Sequence, residues 1–95
     1  MIRVVNKRAM PRGYSIYIGR PSPLGNPFRI GPDGDRARVV ELYRQWIEIK
    51  IEDNDPCVVD ELRRIKEAGD VNLVCWCSPL PCHGDVIKEI VENMK

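Results

Sequence analysis

The sequence predicts a single small α/β domain: a mixed sheet of three or four strands covered by three helices. Three observations carry that reading. β-Branched or nearly continuous apolar runs occupy residues 2–5, 14–18 and 71–77, the signature of short strands and one buried strand. Apolar residues recur at helical spacing in three later segments. With 95 residues there is no room for a second core.

The elements follow in order. Residues 2–5 and 14–18 are strands, and the connection over 7–13 holds Pro11 and Gly13, which suits a loop between neighbouring strands. Residues 19–28 carry three Pro and two Gly, so no regular element survives there. Residues 28–30 read as a short optional strand, closed by the turn Gly31-Pro32-Asp33-Gly34. Asp35 is placed to cap a helix over 37–51, with Val39, Tyr43, Trp46, Ile47 and Lys50 in helical register. Asp55-Pro56 opens the next helix as cap and first-turn proline, and Gly69 stops it. Residues 71–77 lack apolar/polar alternation and predict an interior strand parallel to 14–18. Ser78-Pro79-Leu80-Pro81 turns the chain into a last helix over 82–94.

Composition excludes several function classes. Hydrophobic residues at 43% and charged residues at 31% are globular proportions, not those of a disordered chain. Fifteen basic against fourteen acidic residues leave +1, which disfavours a generally basic nucleic-acid coat and leaves room for a local basic patch. No apolar run reaches the ~18 residues of a membrane span, and the start does not read as a signal peptide. A cytoplasmic protein without membrane partners is expected. The absence of Thr and the single Gln, Gln45, lean towards a thermophilic source, a setting in which intracellular disulfides are common.

The densest chemical signal is Cys75-Trp76-Cys77-Ser78-Pro79-Leu80-Pro81-Cys82-His83-Gly84-Asp85, with three of the four cysteines and the only histidine. On the predicted elements it spans a strand C-terminus and the following helix N-terminus, where open α/β sheets bind ligands. A thiol at a helix N-terminus beside an imidazole is a candidate nucleophile. Cys77 or Cys82 then supplies the nucleophile, and His83 or Asp85 carries the proton. Alternatively Cys75, Cys77, Cys82 and His83 provide the atom types for tetrahedral zinc. Their spacing is poor for it, since i and i+2 on a straight strand stand about 6.6 Å apart. A third possibility is that the cysteines are small buried hydrophobes. Cys57, early in the second helix, reads as structural.

The loop over 19–28 is the second signal. Its glycines permit close backbone approach and its prolines stiffen it. Arg20, Ser22, Asn26 and Arg29 suit phosphate, ribose or base, with Gly25 giving backbone access. The helix arginines Arg36, Arg38 and Arg44 read as a solvated face.

Together these blocks resemble a prokaryotic and phage family catalogued as domain of unknown function 4326. The residues that carry the likeness are Val4-Val5-Asn6, Tyr17-Ile18-Gly19-Arg20, Gly25-Asn26-Pro27-Phe28, Tyr43 with Trp46, and Cys75-Trp76-Cys77-Ser78-Pro79 with Cys82-His83. The resemblance implies that Asn6, Arg20, Asn26, Cys77, Cys82 and His83 belong to one site, and its phage setting points to nucleotides or nucleic acid. The expected function is binding of a nucleotide or nucleic-acid component, with hydrolysis or group transfer and no cofactor. The alternatives are a non-enzymatic zinc-stabilised module that binds nucleic acid or protein, and a bare interaction domain.

Overall fold

The computed structural model describes residues 1–9, 12–78 and 80–94; Pro11 and Pro79, read above as turn residues, lie outside them. The strands are β1 (Ile2–Asn6), β2 (Ser15–Tyr17) and β3 (Val71–Cys75), and the helices α1 (Arg36–Glu52), α2 (Pro56–Ala68) and α3 (His83–Glu92). The sheet order is β1-β3-β2, and both pairings are parallel. Ile2 stands beside Val71 and Asn6 beside Cys75, while Ser15 to Tyr17 run beside Asn72 to Val74. The expected small α/β arrangement is present, with a sheet parallel throughout.

β3 is central because it is the strand whose every residue can be buried, and all five are. Two connections therefore differ from expectation. Residues 7–13 do not join neighbouring strands, since β3 lies between β1 and β2. Local turn chemistry marks where a chain bends, not which strand fills the gap. Residues 28–30 form no strand: the Asn26 side-chain oxygen accepts from the Phe28 N–H at 2.9 Å, and regular pairing in this segment is limited to an isolated Gly31–Gly34 bridge. Both glycines of that bridge have positive φ, +105° and +128°, a conformation that favours residues without a Cβ.

The local signals at the helix ends hold. The Asp35 carboxylate accepts from Arg38 N–H at 2.8 Å, Asp55 accepts from Cys57 N–H at 3.0 Å, and Gly69 ends α2 at φ +72°. Each is a short-range interaction, readable without tertiary structure.

Strand alternation separates the two faces of the sheet. Val71, Leu73 and Cys75 join Ile16, Tyr43, Ile47, Leu62, Ile65, Val86, Ile87 and Val91 in one core under the helices. The opposite face carries Ser15, Tyr17, Asn72 and Val74. There the chain between β1 and β2 crosses β3, and Asn72, 4% exposed, donates its amide to Arg12 carbonyl at 2.7 Å. α3 sits tight against the sheet: a Cβ on Gly84 would lie 2.7 Å from a Val4 methyl. Cys57 is exposed, so it does not serve the core.

Candidate functional site

A cavity of about 560 Å³ opens where β2 and β3 end and where α1 and α3 begin. Its wall includes Tyr17, Arg20, Phe28, Arg29, Arg36, Trp76 and His83, together with Cys75, Cys77 and Cys82. The position follows from parallel strands, whose C-terminal ends face the helix N-termini. Three arginines line this space and no carboxylate does. Among the described residues none of the three is ion-paired, whereas Arg3, Arg44, Lys50, Arg63 and Arg64 each have a carboxylate within 4.0 Å.

The loop that carries Arg20 is held from several sides. Ser22 N–H donates to Gly19 carbonyl at 2.8 Å and Gly25 N–H to Ser22 carbonyl at 2.9 Å, making two successive turns. Gly25 approaches so closely that a Cβ there would lie 3.0 Å from the Arg20 Cα. The buried Tyr43 hydroxyl donates to Leu24 carbonyl at 2.7 Å and ties the loop to α1. Burial, then the charge near Cys82, pushes that hydroxyl's pKa up, so it remains a donor. Asn26 donates its amide to Val39 carbonyl at 3.3 Å. From α1, Arg36 reaches across to Pro81 carbonyl at 3.2 Å, closing one side of the opening.

The sulfur atoms of Cys75 and Cys82 lie 3.6 Å apart, and both residues are buried. The pair shares one charge. Hydrogen bonding from Cys82 draws the Cys75 thiol down to about 6; burial opposes this, and backbone N–H groups of Ser78 and Cys77 assist. Cys82 is pushed up by the same interaction and by burial, against one N–H from Gly84. The more acidic thiol is therefore Cys75 at the strand end, not Cys82 at the helix start. Cys82 is the N-cap of α3: its Sγ accepts from Gly84 N–H at 3.3 Å, and its own N–H donates to the Asp85 carboxylate at 3.1 Å.

His83 is 7% exposed, and its Nε2 lies 2.7 Å from Ile18 carbonyl. A carbonyl only accepts, so Nε2 bears the hydrogen and Nδ1 keeps the lone pair. Burial, with the Arg20 charge, lowers the His83 pKa despite the Ile18 carbonyl. A neutral imidazole results.

The geometry sorts the sequence-derived candidates. Arg20, Asn26, Cys75, Cys77, Cys82 and His83 converge on the cleft. Asn6 does not line it; its amide donates to the carbonyls of Trp76 and Ser78, both at 3.0 Å, and braces the turn after β3. Asp85 is exposed and occupied as a capping carboxylate, so it stands outside the cleft wall. Its carboxylate thereby occupies the Cys82 N–H at the start of α3. Ser22 and Gly25 shape the loop from behind; the Ser22 hydroxyl is buried without a hydrogen-bond partner. Cys75, Cys77, Cys82 and His83, the alternative zinc set, all line the cleft, and among the described residues no group of three or more His, Cys, Asp or Glu side chains is gathered at metal-binding distance.

Arg36 was hidden in an apparently solvated helix face. Its signal is its place in the first turn of α1, where the helix dipole disfavours a cation and only the Asp35 cap offsets it. Tyr17 and Trp76 are also cleft residues that strand patterning alone does not single out.

Compared with known proteins, residues 2–93 match the family described as "Domain of unknown function (DUF4326)". The chain is 31% identical over 106 aligned positions to the "Uncharacterized 12.4 kDa protein in nrdA-td intergenic region" of Enterobacteria phage T4, covering 99% of this chain and 81% of the phage protein. No solved structure matches. No helix among the described residues is long and apolar enough to cross a membrane.

Proposed function

This chain belongs to the DUF4326 family, and from the cleft its fold builds we propose that it binds a nucleotide or nucleic-acid component by its phosphate and acts on it by hydrolysis or group transfer. One observation carries this reading: Arg20, Arg29 and Arg36 line a cavity without a carboxylate, beside the aromatic rings of Tyr17, Phe28 and Trp76. Unpaired guanidinium groups favour a phosphate, to which each can present two parallel donors. Aromatic rings at the same opening favour a planar base. Cys75 is the nucleophile of this reading, because its sulfur lies at the cleft wall 3.6 Å from that of Cys82, and hydrogen bonding from Cys82 and backbone N–H groups lowers its thiol pKa. Cys82 stabilises that thiolate by hydrogen bonding, and neutral His83 can take a proton at Nδ1. The reaction calls on no cofactor.

The test compares a nucleoside 5′-monophosphate, the matching nucleoside and inorganic phosphate by isothermal titration calorimetry. The monophosphate is expected to bind at least about tenfold more tightly than the nucleoside, as for a charge-assisted contact. Equal binding of nucleoside and monophosphate removes the phosphate assignment. Loss of all turnover in Cys75→Ser with binding retained supports the chemical step; unchanged turnover moves the nucleophile elsewhere.

A further inference from the structure

We propose that the nucleotide held in the cleft is one unit of a single-stranded polynucleotide, whose neighbouring unit lies against the exposed Trp76 beside Tyr17, Lys7 and Arg8. The inference rests on the nucleotide reading of the cleft and adds the class of substrate. Tyr17 and Trp76 line the cleft and also stand at the C-terminal end of the sheet face opposite α1, α2 and α3. Trp76 is 51% exposed, large for an aromatic ring next to a packed strand. Its indole N–H donates to the Tyr17 hydroxyl at 3.1 Å, which donates to Arg20 carbonyl at 3.0 Å. The two rings are thus tied to the backbone of an arginine in the cleft.

Positive charge accompanies these rings. The Lys7 ammonium is 5.1 Å from the Tyr17 ring centre and 5.2 Å from that of Trp76, and the Arg8 guanidinium is 5.9 Å from Trp76. Both cations are exposed, and among the described residues neither has a carboxylate partner. Neither lines the cleft. A free mononucleotide in the cleft has no second phosphate for them to meet. The next phosphate of a strand does. Exposed aromatic rings with adjacent cations at a sheet end are the physical means of holding unstacked bases and their backbone. A duplex keeps its bases stacked away from such rings, and an acidic peptide would use the cations and leave the rings unemployed.

The experiment measures binding of thymidine 5′-monophosphate and of a 5′-phosphorylated oligothymidylate of about six nucleotides, with a stable duplex and an oligoglutamate as competitors. The expected result is a gain of about tenfold or more for the oligonucleotide over the monophosphate. The double variant Lys7→Ala with Arg8→Ala should lose that gain while retaining monophosphate affinity. Equal affinity for the two ligands, a gain that survives in the double variant, or duplex or oligoglutamate competing as well as the single strand would each overturn the inference while the cleft reading stands. Failure of the monophosphate to bind would remove the cleft reading, and this inference with it.

Discussion

Cys82 carries two duties with one sulfur: it accepts the Gly84 N–H that caps α3, and it lies 3.6 Å from the Cys75 sulfur. Cys82→Ala removes both. The Cys75 titration, monitored by thiolate ultraviolet absorbance, should move up from about 6 towards an ordinary thiol. The fold should lose about 1 kcal/mol, the usual cost of a lost cap. Cys82→Ser should keep the cap; an unmoved Cys75 titration in Cys82→Ala would show that the pair is not coupled. His83 gives a second residue-level test. Its folded pKa is depressed from 6.5 by burial, so its stabilising share is complete above the unfolded value and is lost as pH falls through the folded one. The melting temperature of the native protein should therefore drop on acidification below pH 6.5, and His83→Gln should flatten that part of the profile. A sequence shows which thiols are near a helix start. It does not show which of them receives more hydrogen bonds, and that decided the order of acidity here.

At the scale of elements, the loop between β2 and α1 positions Arg20, and one long-range hydrogen bond holds it to α1. Tyr43→Phe leaves the Leu24 carbonyl, now bonded at 2.7 Å, without its buried donor. The expected cost is about 1–3 kcal/mol in denaturant unfolding, with weaker ligand affinity because Arg20 loses its support. Unchanged stability would mean that water replaces the hydroxyl freely. The caps Asp35 and Asp55 and the stop at Gly69 were legible because each acts within its own turn. The loop's irregular path over 28–30 was not, because Asn26, which accepts the Phe28 N–H, is itself anchored to the distant Val39 carbonyl on α1. The β1-β3-β2 order was likewise hidden: local pattern identified β3 as buried, while its insertion between two earlier strands is a property of the assembled sheet.

Across the whole molecule the charge is nearly balanced at +1, so attraction for a phosphate depends on where cations lie and not on their number. The fold brings Arg20 and Arg29 of the β2–α1 loop and Arg36 of α1 to one opening; the sequence half conceals this, because Arg36 stands on a helix interleaved with acids while no acid lies between Arg20 and Arg29. Arg63 and Arg64 provide the control: they lie on α2 with Asp60 and Glu61 as partners, and exposed pairs of that kind contribute little. Replacing Arg20 and Arg36 by Ala, or Arg63 and Arg64 by Ala, removes two of the fifteen basic side chains and takes the net charge from +1 to −1 in either case. A long-range, net-charge attraction would weaken equally in both variants. With local recognition, the Arg20 and Arg36 pair should lose about a hundredfold in nucleoside monophosphate affinity, from two charge-assisted contacts of at least ~1.5 kcal/mol each. The Arg63 and Arg64 pair should bind within about twofold of the native protein, and its residual loss should vanish as salt is raised. Calorimetric titrations at two ionic strengths read both effects, and comparable losses in the two variants would show that the cleft arginines do not form the phosphate site.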